Sequence, residues 1–311
     1  MQLERAFGTA AFKTVIRPDA DGTHTWERVA PAGSPIAFAL SDGAAQWCAA
    51  SSTPQIHFVA PMHIGTQDVR WKVRGRTTLA SLIHPAGEDG SDSAPDPAQL
   101  RKFFSALGAA TPRTVGPHSL RSISGPAMPD ALYRLVRWFA GEWNVGASSC
   151  DRDILKRLIG KHLFGRLQNI AENLASLFES DAAETTVHGA FTSGHIIVEP
   201  DALEICDVLS GIDLAPGPAS YDPGILLGDL CEHYHVALAA GLPYVHFRDL
   251  ARAYLAGAGL QPHGQVADAM MTRIVGHIVD YSSFVGSATE IALYRDLIHE
   301  IATDPWGWLE E

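Results

Sequence analysis

VHGAFTSGHIIV, residues 187–198, sets two apolar ends around a polar centre. Thr185-Thr186-Val187 favours a short strand, and Ile196-Ile197-Val198 a second one. His188-Gly189 reads as a turn, and Leu203 to Val208 as a third strand. Before this insert, residues 161–179 place Leu163, Leu167, Ile170, Leu174 and Phe178 on one helical face. A polar loop held between strands behind a long helix is a good platform for chemistry.

Outward from the loop the chain divides by pattern. On its N-terminal side, Phe7–Arg17, His24–Val29, Pro35–Ala39 and Gln55–Pro61 are short strand-like segments punctuated by Asp, Gly, Pro and Ser. Residues 68–76 carry Arg70, Lys72, Arg74 and Arg76 at alternate positions, so a strand here has a basic face. Such a row meets phosphates or water, and a solvated face is the reading favoured here. Residues 84–98, HPAGEDGSDSAPDPA, are polar and acidic and fit an exposed, disorder-prone loop. Helical stripes follow: Leu100, Phe103, Phe104 and Leu107; Leu132, Leu135, Val136 and Phe139; Met270, Ile274, Ile278 and Tyr281; and one within 291–301. Strands followed by helices predict an α+β fold, with a strand-rich N-lobe over 1–75 and a helical C-lobe over 76–311 that carries the loop hairpin at 185–208.

Composition narrows the function. The 311 residues are 46% hydrophobic, enough for a sizeable core. Thirty-five acids against 23 Lys and Arg leave a formal charge of −12, which opposes a nucleic-acid backbone, so no nucleic-acid partner is expected. No apolar run is long enough to span a bilayer, and the N-terminus lacks the layout of a signal peptide. The expectation is a cytoplasmic protein with no membrane association. Cys48, Cys150, Cys206 and Cys231 are widely spaced and read as buried thiols.

The loop resembles that of the aminoglycoside-phosphotransferase branch of the protein-kinase-like superfamily, H-G-D-x-x-x-x-N. His188-Gly189 match its opening, Ala190 stands in place of the Asp that accepts the substrate proton, and His195 in place of the metal-binding Asn. Gly211-Ile212-Asp213 resembles the following metal site, with Asp207 as the competing ligand, and residues 221–228, YDPGILLG, the next helix start. Residues 73–79, VRGRTTL, resemble the hinge that pairs with adenine. The covering glycine loop and the strand lysine are not recognisable; Lys13 and Lys72 are the candidates to replace the latter. Residues 217–230, GPASYDPGILLGDL, together with the H-G-A loop, are similar to phosphotransferase-like proteins of class V lanthipeptide and thioamitide pathways.

That resemblance implies a bilobal kinase-like fold using ATP and Mg. Lys13, Lys72, Val73 and Gly75 would face the nucleotide; His188, His195 and Asp213 would be the catalytic candidates; Asp213 or Asp207 would hold the metal. A Ser or Thr of a precursor peptide would be phosphorylated, and a partner lyase would then eliminate phosphate. Two other functions are open: a pseudokinase scaffold that binds peptide or partner enzyme, and a phosphotransferase acting on a small antibiotic. Phosphoryl transfer relies chiefly on positioning and charge neutralisation, and a general base contributes roughly 10²–10⁴-fold, so loss of the acid alone slows the reaction without forbidding it. For His188 a bland role is favoured, hydrogen bonding to loop carbonyls, and for Asp222 a structural one at the start of the next helix.

Three other patterns carry less. Cys231, His233 and His235 cannot converge from one helix on a zinc ion. His246-Phe247-Arg248-Asp249 imitates a kinase motif but opens an amphipathic helix. Trp306-Gly307-Trp308-Leu309 docks on a partner or packs back on the helices.

Overall fold

Side-chain alternation builds the first sheet. β2 (Lys13–Pro18), β3 (His24–Val29) and β6 (Asp68–Val73) pair antiparallel, matching Ile16 to Trp26 and Trp26 to Trp71. Period two therefore puts Thr14, Ile16, Trp26, Arg28, Val69, Trp71 and Val73 on one face, and Val15, Glu27, Arg70 and Lys72 on the other. β1 (Arg5–Gly8) and β5 (His63–Ile64) complete the order β1-β2-β3-β6-β5. The structure is a computed structural model that describes residues 5–8, 13–30, 38, 40, 43–83, 95–111, 128–143, 148–179, 185–199, 203–243, 245–284, 291 and 294–310.

A second sheet, β4-β10-β9-β7, joins the N-terminal residues to the loop. β9 (Ile196–Val198) and β10 (Cys206–Leu209) flank it on one side of the chain, β4 (Ile56–Val59) runs parallel to β10, and β7 (Thr77–Thr78) borders β9. β8 (Thr185–Val187) pairs with β11 (Ala215–Gly217), bringing the two ends of the loop region together. α1 (Ala44–Ser51) packs on β4 and buries Trp47 and Cys48.

The remaining described residues are mostly helical: α2 (Leu79–Ile83), α3 (Pro97–Ala110), α4 (Asp130–Ala140), α5 (Ser148–Ile159), α6 (Lys161–Glu179), α7 (Tyr221–Ala239), α8 (Val245–Ala258), α9 (Gly264–Phe284), and two short helices at Arg295–Thr303 and Gly307–Glu310. α7 is the central one, buried without interruption from Tyr221 to Glu232. Gly224 permits that burial: a Cβ there would stand 2.6 Å from the Val266 carbonyl of α9. The helical stripes read from the sequence face the core, with Leu100, Phe103, Phe104 and Leu107 on α3 and Met270, Ile274 and Ile278 on α9. Trp308 packs against Tyr234, ring centroids 5.7 Å apart. The strands-then-helices order is the α+β arrangement expected.

Two expectations change. Phe7–Arg17 is not one segment: β1 and β2 pair antiparallel, Phe7 opposite Thr14, so the chain reverses between them. The basic row is half a strand face: Arg70 and Lys72 lie on the face of β6 away from Trp71, whereas Arg74 and Arg76 fall past its last residue, Val73, and pair with Asp207 and Glu199. Pro35–Ala39, Phe38 excepted, and residues 84–94 lie outside the described residues.

Candidate functional site

The loop is held from behind by α7. Asp222, in the first turn, accepts the amides of His188 (2.6 Å) and Gly189 (3.0 Å). Burial pushes its carboxyl up to about 7, against the pull of those two donors. Gly189 takes a left-handed φ of 84° and lies against the Asp213 backbone, where a Cβ would clash. Further along, the Ser193 amide donates to Asp229 (2.8 Å), which also pairs with Arg273 (2.7 Å). Burial pushes Asp229 up, but Arg273 and Ser193 outweigh it and hold the carboxyl down to about 2.

His188 is enclosed by Trp47, Phe58 and Phe191, at centroid distances of 6.4, 6.2 and 5.7 Å. Its Nε2–H donates to the Leu209 carbonyl (2.9 Å), and its Nδ1 accepts the Ala190 amide (3.2 Å). Both nitrogens are engaged, which fixes the neutral ring, and burial lowers its pKa to about 4. This is the bland role favoured in the sequence.

The front of the loop is arranged differently. Ala190 presents only a methyl group. Three residues past Thr192, His195 closes a 3₁₀ turn (Ser193–His195). Arg28 of β3 donates through Nη1 to His195 Nε2 (2.6 Å), and His195 Nδ1–H meets Thr192 Oγ1 (3.0 Å). Burial, then the neighbouring Arg28, holds the imidazole well below its ordinary pKa. His195 therefore has no nitrogen left for a phosphate oxygen. Asp213 lies half-buried between the charges of Arg134 and Arg28; burial raises its carboxyl, and those two cations oppose the rise.

The other candidates are placed apart from this group. Asp207 projects toward the hinge, where it accepts the Arg74 amide (2.6 Å) and is gripped by the Arg74 guanidinium. Lys13 pairs with Val29 and Lys72 with Thr25, so both project from the sheet face opposite Arg28; Lys72 bonds Asp21 at 2.7 Å. Val73 is buried beside Trp26, and the Gly75 carbonyl is 3.4 Å from the Trp26 indole nitrogen. The sequence reading passed over Arg28. The signal lay in HTWERV (24–29): a tryptophan and an arginine two apart share a strand face, so if one is buried the other is drawn in with it.

No family model matches the chain, and no curated protein is similar to it in sequence. Solved structures do match. An ethanolamine kinase from Plasmodium vivax superposes with a TM-score of 0.51 at 9% identity, covering 97% of this chain and 82% of that one. The chain has the protein-kinase-like fold. An aminoglycoside phosphotransferase from Streptomyces rimosus, whose structure was also obtained with ADP and streptomycin, matches with a TM-score of 0.49 at 14% identity over 89% of this chain and 92% of that one.

A nucleotide and magnesium are what the resemblance implies, and Asp213 is the carboxylate offered for the metal. Magnesium demands an octahedron of oxygens, usually with one or two carboxylates. Asp213 lies beside Arg28, and among the described residues no three of His, Cys, Asp and Glu gather to hold a metal. α1 contains no acid, and Arg28 donates to His195. Among the described residues no helix is long and apolar enough to cross a membrane.

Proposed function

We propose that the chain is a kinase-like binding module, a pseudokinase that holds a peptide or a partner enzyme without transferring phosphate. One observation carries this reading: Arg28 of the first sheet is bonded to His195 of the loop, and His195 spends its other nitrogen on Thr192. With Ala190 beside it, the loop offers no base and no second metal ligand. What survives is the frame: Asp222, His188 and Asp229 keep the loop in shape. A rigid loop between two sheets suits recognition as well as it suits catalysis.

A phosphotransferase acting on a precursor peptide, in concert with a lyase, is the second reading. Asp213 favours it, as a half-buried carboxyl next to a strand arginine that takes the place of the missing lysine. The two separate in one experiment. The chain is incubated with ATP, magnesium and a Ser/Thr-containing peptide library, and the peptides are weighed by mass spectrometry after capture on the protein. Peptides retained equally with and without ATP, and without added phosphate, support the scaffold. Phosphorylated peptide whose yield falls with Asp213→Ala overturns it.

A further inference from the structure

The base-binding side of the cleft is filled by the chain itself. In a kinase-like cleft the adenine lies between the first sheet and the strand after the loop, with its edge toward the hinge backbone. Here Trp26 occupies that interval. It projects from the sheet face that meets the loop strands and belongs to one apolar cluster with Ile16, Val69, Trp71, Val73, Ile197 and Leu209. Trp26 is 1% exposed and Ile197, on the floor strand β9, is 0% exposed, so roof and floor are both shielded from water within one cluster.

The hinge edge is used up in the same way. The Gly75 carbonyl faces the Trp26 indole N–H at 3.4 Å. The Arg74 amide donates to Asp207, and the Arg74 carbonyl accepts from His24 Nδ1 (3.2 Å). Those three backbone groups of the hinge are thus spoken for within the chain. Gly75 also packs flat on β9, where a Cβ would come within 2.5 Å of the Val198 carbonyl carbon. An indole is a flat bicycle close to a purine in size, with an edge N–H donor like the amino group of adenine. At the other end of the same face, Arg28 reaches His195.

We propose that Trp26 is a built-in replacement for the nucleotide base, which closes the cleft between the first sheet and β9 in the absence of any ligand and excludes adenine nucleotides from it. This deepens the scaffold reading and rests on it for the shared cleft, yet the two can fail separately. A truncated side chain at position 26 leaves a flat apolar slot against Ile197, with the Gly75 carbonyl at its edge, which is a site for an adenine ring.

The test uses the full chain, adenosine and ATP as probes, and the indole N–H resonance of Trp26, assigned by its loss in Trp26→Phe. In the wild type the resonance is slow to exchange with solvent and does not move with millimolar adenosine or ATP. Trp26→Ala binds adenosine at least tenfold more tightly than wild type by calorimetry, and Trp26→Phe, which keeps the slot filled, does not. A wild-type resonance that shifts saturably with ATP overturns the proposal. So does a folded Trp26→Ala chain that gains no affinity for adenosine. If Trp26→Ala does not fold, the wild-type resonance still decides. ATP that moves the resonance while peptides gain no phosphate defeats this inference and leaves the scaffold; phosphate transfer from ATP defeats both; an unmoved resonance in a chain that retains no peptide defeats the scaffold and leaves this inference.

Discussion

The back and the front of the 188–195 loop have been kept to different standards. At the back, the polar groups are partnered in series: Asp222 takes two amides, His188 uses both nitrogens, and Ser193 is bound to Asp229. At the front, position 190 carries only a methyl group and His195 is bonded to Arg28. The difference teaches that holding a loop and reacting from it are separable demands. Buried amides must be satisfied for the chain to fold, whatever the protein does. Reacting groups answer only to function, and can be exchanged once the function changes.

The contrast can be broken at several points. The largest effect is expected from Trp26→Ala, which removes a fully buried indole and costs about 3–5 kcal/mol in urea unfolding. A loss under about 1 kcal/mol would mean that the roof of the cleft is not packed as described. Next is Asp222→Ala, which strands two buried amides and costs roughly 2–4 kcal/mol, with the loop amides losing protection from hydrogen exchange. Equal protection in the variant would show that the back of the loop needs no anchor.

Acid sharpens the same comparison through His188. Its folded pKa, about 4, lies below the unfolded value of 6.5, so between those pH values the unfolded chain takes up a proton that the folded chain refuses. Stability therefore falls as pH drops from about 6.5 to about 4, by up to about 3 kcal/mol from this group. Urea unfolding across that range should be steeper in pH for wild type than for His188→Gln, and matching slopes would contradict the buried neutral ring. The smallest effect is expected from Lys72→Ala, with no measurable change in the urea midpoint or in peptide retention, because the side chain is exposed on the far face of the sheet.

Much of the fold was legible because its signals are local. Stripes such as Leu100, Phe103, Phe104 and Leu107 follow the helix period, and the loop strands are marked by β-branched runs. The frame of the loop was legible as well, in His188-Gly189 and in Asp222 at a helix start. The front was not. Which face of β3 and β6 is covered depends on strand pairing across distant segments, so Lys13 and Lys72 looked as eligible for the cleft as any cation. Arg28 bonded to His195, 167 residues away, is a tertiary fact that neither local sequence carries. The same holds for Arg74 on Asp207, which removes a carboxylate that spacing alone left available.

The most direct measurement is the thermal melt of the wild-type chain with and without ATP and magnesium. A ligand that binds only the folded state raises the melting temperature by mass action, by about 2.7 kcal/mol of added stability at a hundred times its Kd. The account predicts no change at millimolar ATP and magnesium. A saturable rise that Asp213→Ala abolishes would contradict it.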